Sequence, residues 1–205
     1  MSIGENCCAG EFPLNRAASR DHVECLKRMH DDGFDMDEQK YSGYTALMVA
    51  SSEGNVRSIE YLCKVGSNLN LQNDCGHTAM MEAVSCAYSD ELSDGRLSCL
   101  KILCEHGGNI NVQNEEGETV LMMCVDTVCR NYKFYETPGR PSGMKPSYER
   151  YLECIQYLCD MGADIELKNI DGLDAMTIAK DGGHPKCVEI LEAAGYLGPK
   201  SAYKK

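Results

Sequence analysis

One eight-residue segment returns in register along the chain: GYTALMVA (43–50), GHTAMMEA (76–83), GETVLMMC (117–124) and GLDAMTIA (172–179). A second segment follows it each time, as YLCKVGSNLNLQN (61–73), ILCEHGGNINVQN (102–114), YLCDMGADIELKN (157–169) and ILEAAG (190–195). The glycines Gly33, Gly66, Gly107, Gly162 and Gly195 are spaced by 33, 41, 55 and 33 residues. A 33-residue unit therefore recurs, lengthened by 8 residues in its third copy and 22 in its fourth, with FPLNRAA (12–18) marking the first copy. A unit of that size cannot bury an apolar face alone, so the copies must stack, and the stack is the fold.

Within each copy the spacing is helical. Leu47 and Ala50, Met80 and Ala83, and Leu121 and Cys124 stand three apart, which places each pair on one face of a short helix. Ile59 with Leu62, Leu100 with Leu103, and Ile155 with Leu158 repeat the spacing in a second helix, and the glycine that follows suits a left-handed C-cap. These segments resemble the ankyrin repeat, in which a G-x-T-P-L-H-x-A helix start is followed by a second helix ending in L-L and then G-A-D. The resemblance covers residues 12–195 in five copies, with methionine (Met48, Met81, Met122) in place of the histidine and Asp174 in place of the threonine. It implies an all-α solenoid of stacked helix-turn-helix units with projecting loops. The expected copies are 12–40, 41–73, 74–114, 115–169 and 170–195, with tails at 1–11 and 196–205.

Composition narrows the function. With 43% apolar residues the chain of 205 can bury a core, and no run approaches the length of a membrane span. The N-terminus has neither the basic start nor the apolar stretch of a signal peptide, so a reducing compartment, cytoplasm or nucleus, is expected. A net charge of −12 argues against nucleic acid and favours a partner with a basic surface. The thirteen cysteines contain no C-x-x-C pair of the kind that grips zinc. Cys25, Cys99, Cys154 and Cys187 share one repeat column and Cys63, Cys104 and Cys159 another, so they read as small apolar packing residues. No serine or cysteine nucleophile stands at a recognisable spacing from histidine and carboxylate, and no phosphate-cradling glycine motif occurs. The expectation is a chain that catalyses nothing and holds no cofactor or metal.

The resemblance places partner binding on the concave face and loops. By register the exposed positions there include Tyr41, Tyr44, Asp74, His77, Glu82, Glu115, Glu116 and Met123. It also marks Asn70 and Asn111, in the loops after the second helix, as positions open to asparaginyl hydroxylation. The plainer reading is that of turn asparagines with local hydrogen bonds.

The repeat is interrupted at FYETPGRPSGMKP (134–146), between the two helices of the fourth copy. MMCVDTVCRNYKFYE (122–136) has no glycine or proline and is expected to extend the first helix. SYERYLECIQYL (147–158) is expected to lengthen the second, with Ser147 as cap. Residues 126–151 carry five basic and three acidic groups, whereas the third-copy addition at 87–98 carries a net −2. The two additions can pack on each other. Alternatively Tyr132, Lys133, Phe134, Tyr135, Arg140 and Lys145 form a second binding surface, since tyrosine and arginine are typical of interface hot spots. The sequence thus reads as a non-catalytic protein-binding adaptor or scaffold. The other readings are an architectural subunit of a larger complex and, with least behind it, a thiol-based redox or metal-binding protein.

Overall fold

A computed structural model describes residues 13–85, 92–135 and 149–197. Among them the secondary structure is all helical apart from one isolated bridge, Lys40 to Tyr44. Five helix pairs follow one another: α1 (Pro13–Ser19) and α2 (Val23–Asp31), α3 (Ala46–Glu53) and α4 (Val56–Lys64), α5 (Ala79–Val84) and α6 (Asp94–Glu105), α7 (Val120–Tyr135) and α8 (Glu149–Asp160), and α9 (Ala175–Gly182) and α10 (Pro185–Leu197).

The threonine of the T-A-L-M segment has a definite task. Thr45, Thr78 and Thr119 each accept a hydrogen bond through Oγ1 from the amide three residues on, at 3.2, 3.4 and 3.3 Å. Each satisfies one of the amides that a helix start leaves open. At the other end of α3, Gly54 closes the helix in the left-handed region at φ 74°. A Cβ there would also stand 2.8 Å from the backbone nitrogen of Arg96, so both backbone sign and close approach require glycine.

The helices form two compact units, Met1–Ala83 with Asp94–Gly108, and Val84–Ser93 with Asn109–Lys205. In the first, α1 packs on α2 and α3, α3 on α4 and α6, and α4 on α2 and α6. In the second, α7 packs on α8 and α9, and α10 on α8 and α9. First helices thus lie on first helices and second on second, which is the stacking the repeat demands. The core is the set of periodic residues: Leu47, Ala50, Ile59, Leu62, Leu121, Cys124, Ile155 and Leu158 are at most 2% exposed. Met48, Met81 and Met122 join it at 1, 1 and 0%. The cysteine columns divide. Cys99, Cys104, Cys154, Cys159 and Cys187 are buried, whereas Cys25 and Cys63 are half-buried.

The projecting loops are laced by side chains. Gln39 Nε2 donates to the carbonyls of Gly43 (2.9 Å) and Gln72 (2.8 Å). Gln113 Nε2 does the same for Gly117 (2.6 Å) and Lys168 (2.9 Å). The lengthened copies put most of their described addition into helix. α7 has 16 residues against eight in α3, and α8 and α6 have 12 each against nine in α4. Arg96, 5% exposed, donates from Nη2 to the Glu82 carbonyl at 2.9 Å, and Tyr151, fully buried, donates to the Val84 carbonyl at 3.3 Å.

Candidate protein-binding surface

In the first unit the loop tips stand clear of the helices. Tyr41 begins a short 3-10 turn and is 71% exposed. The next tip, Asp74 and Cys75, is exposed as well, and the Asp74 amide donates to the Ser42 carbonyl at 2.9 Å, joining the two loops. Behind the tips lies a polar knot. Tyr44 Oη and Asn73 Nδ2 both donate to Glu82 Oε1 at 3.0 Å, and His77 Nδ1 stands 3.1 Å from the same oxygen. Glu82 is only 3% exposed. The expectation that it faces a partner fails: helical register aims it inward, and a tyrosine from the preceding copy plus two loop side chains fold over it. Tyr44 and His77 are half-buried for the same reason.

In the second unit Glu115 and Glu116 are exposed at one tip and Ile170 (73%) and Asp171 at the next, tied by the Ile170 amide to the Glu116 carbonyl at 3.0 Å. Met123 is half-buried on α7. Here the surface becomes concave. A cleft of about 320 Å³ opens between α7 and α9, its wall carrying Glu118, Asp126, Asp171 and Asp181 against one cation, Arg130. Leu173 and Ile178 supply apolar surface to the same wall. Arg130 Nε is held by Asp126 at 2.7 Å across one turn of helix. Burial pushes the Glu118 carboxyl above the usual carboxylate range, with its hydrogen bond to Asn114 pulling the other way and Asp126 adding to the rise. A second cleft, also about 320 Å³, shares Glu118, Asp126 and Arg130 with the first and is lined as well by Val84, Ser85, Met123 and Thr127.

Asp126, Arg130 and Asp181 were not singled out from the sequence, although the i, i+4 spacing of Asp126 and Arg130 in a helix-compatible stretch marks them as one exposed ridge. Nor were Asn73, Asn114 and Asn169, whose Oδ1 atoms accept the amides of His77, Glu118 and Leu173 at 2.9, 2.7 and 2.9 Å and so shape all three loops. Tyr132 is half-buried and packs edge-on against His184 at 4.6 Å, within its own unit. Lys133, Phe134 and Tyr135 end α7 with side chains outside the description, and Arg140 and Lys145 lie outside the described residues altogether. Asn111 Oδ1 accepts the Asp164 amide of the next loop at 2.9 Å, whereas Asn70 is exposed. Among the described residues no three His, Cys, Asp or Glu side chains gather as a metal site would need, and no helix is long and apolar enough to cross a membrane.

A family model for three ankyrin repeats matches residues 2–73, and one for the single ankyrin repeat matches 75–115, together more than half of the chain. An L-asparaginase of Dirofilaria immitis is 37% identical over 79 residues, which are 38% of this chain and 13% of that protein. The chain thus matches a small part of that enzyme's length.

Proposed function

The chain belongs to the ankyrin-repeat family, and on that premise we propose a non-catalytic adaptor or scaffold that takes a basic segment of another protein on its concave face. The observation that carries the reading is the cleft beside α7: four carboxylates, one of them drawn toward protonation by burial, with a single arginine already engaged by one of the four. Lysine or arginine from a partner would relieve that imbalance while its aliphatic stem lies on Leu173 and Ile178. Steering by the −12 charge adds to the encounter rate.

The test is direct binding of lysine- and arginine-bearing peptides, with their glutamate counterparts as controls. Basic peptides should bind, more weakly as salt rises. The Asp126→Asn, Asp181→Asn double variant should lose roughly tenfold, the sum of two exposed charge pairs. Equal binding of acidic peptides, or no change in the double variant while its melting temperature is kept, would sink the reading.

A further inference from the structure

The two clefts of the second unit meet along α7. Both are lined by Glu118, Asp126 and Arg130, to which the first adds Cys129 and the second adds Met123 and Thr127. With 3.6 residues to a turn, Cys129 falls about 60° from Asp126 on one flank of the helix and Thr127 about 100° on the other, with Arg130 between. The clefts are therefore the two flanks of one ridge, and they match in volume at about 320 Å³ each. They differ in charge. Asp171 and Asp181 line only the first. The second has no carboxylate beyond the shared Glu118 and Asp126, and Asp126 is already engaged by Arg130. The rest of its wall is uncharged: Val84, Ser85, Thr127 and the Met123 thioether, with Met123 half-buried and Val84 and Thr127 buried. A cation thus gains more in the first cleft. The second suits an uncharged aliphatic side chain, for which methionine is an adaptable contact.

We propose that the second cleft takes an aliphatic side chain of the same partner segment whose lysine or arginine enters the first, with two residues between the anchors. This rests on the basic-segment reading of the first cleft, to which it adds a second, continuous contact. The spacing comes from the width of the ridge. A helix with its side chains is about 10 Å across, so anchors on its two flanks stand about that far apart. A polyproline II segment rises about 3.1 Å per residue and returns to the same face at every third, which sets side chains at i and i+3 about 9 Å apart on one side. A β-strand returns to one face after about 7 Å and then only after about 13 Å, so it fits the ridge less well. Arg130 stands on the divide. Its side chain is 68% exposed and its Nε is taken by Asp126. The outer N–H groups of its fork are the donors for the carbonyls of a main chain that crosses the ridge.

The experiment is a titration of the full chain followed by its amide NMR signals, which reads weak binding and locates it. The probes are blocked ten-residue peptides of alanine and serine carrying one lysine, alone or with one leucine placed one to five residues away on either side. The lysine-only peptide should shift the amides of Asp171 and Asp181. Leucine three residues from the lysine should tighten binding roughly tenfold, the low end of what burying one aliphatic side chain gains. It should also bring the amides of Ser85 and Thr127 into the shifted set, and a second lysine in its place should give no such gain. Met123→Gln should abolish the leucine gain and leave the lysine-only peptide bound as before. An equal gain at every spacing, a larger gain at another spacing, or a gain kept in Met123→Gln would overturn the proposal. The spacing series on the unaltered chain decides this even where the variant folds poorly. Failure of the lysine-only peptide to bind is a different result: it removes the reading of the first cleft, and the second contact with it.

Discussion

Asp174 occupies the position at which threonine precedes α3, α5 and α7, and it caps more strongly than they do: its Oδ1 accepts from both the amide and the hydroxyl of Thr177, at 2.7 and 2.8 Å. Partial burial pushes its carboxyl up, but the two Thr177 hydrogen bonds, with Lys168 and Lys180, outweigh this and hold it below the ordinary value of 3.8. A folded-state value that is depressed contributes stability above the unfolded value and loses it as pH falls through the folded one. Asp174→Ala should therefore cost about 1 kcal/mol at neutral pH. Asp174→Asn should cost little, since asparagine caps equally well, and its difference from the native chain should narrow further below pH 3.8. Urea midpoints at neutral and acid pH check both. Glu82 gives a second case. Glu82→Leu leaves Tyr44, Asn73 and His77 without their shared acceptor and should cost about 2–3 kcal/mol. Glu82→Gln keeps an oxygen and should cost less, again read from urea midpoints. The capping role of the T-A-L-M threonines follows from their place before an apolar helical run. The burial of Glu82 does not, because it depends on three side chains converging from another copy and a loop, and no local spacing encodes that.

At the scale of the element, α7 decides most of what is particular to this chain. Its length follows from the run 122–135, which has no residue that ends a helix, and it reaches Tyr135 as expected. The extended part lies close against α9, and Gly182 is the residue that permits it: a Cβ there would overlap both Cβ and Sγ of Cys129. Helix propensity alone favours alanine over glycine by about 1 kcal/mol. Gly182→Ala should nonetheless destabilise, by about 1–3 kcal/mol, because overpacking outweighs propensity. Thermal melts of Gly182→Ala, Cys129→Ala and the double variant test this, and the double variant should be more stable than additivity allows. What the sequence conceals at this scale is the use of a charge inside an element. Arg96 counts as one more charge of a polar addition until the Glu82 carbonyl at the end of α5 is seen to need its guanidinium. The cleft is hidden likewise, since its walls come from α7, α9 and a loop whose proximity is a property of stacking.

For the whole molecule, 32 acidic against 20 basic residues set two effects in opposition. Like charges crowded by folding repel, and the expanded chain relieves that repulsion. Salt screens it over a Debye length of about 8–10 Å near physiological strength. Isolated surface pairs such as Arg130 with Asp126, at 68 and 38% exposure, contribute too little to reverse the balance. The urea midpoint should therefore rise with sodium chloride, while the slope of the transition, which follows the surface exposed, stays constant. Binding of a basic peptide should move the other way over the same range, since the charge that strains the fold is the charge that attracts the partner. The opposed signs matter for interpretation, because peptide lost at high salt cannot then be ascribed to a protein that has begun to unfold. A midpoint that fell with salt would mean that specific pairs, not net repulsion, govern the fold. An acidic face built from those pairs would have little free charge left to offer a partner.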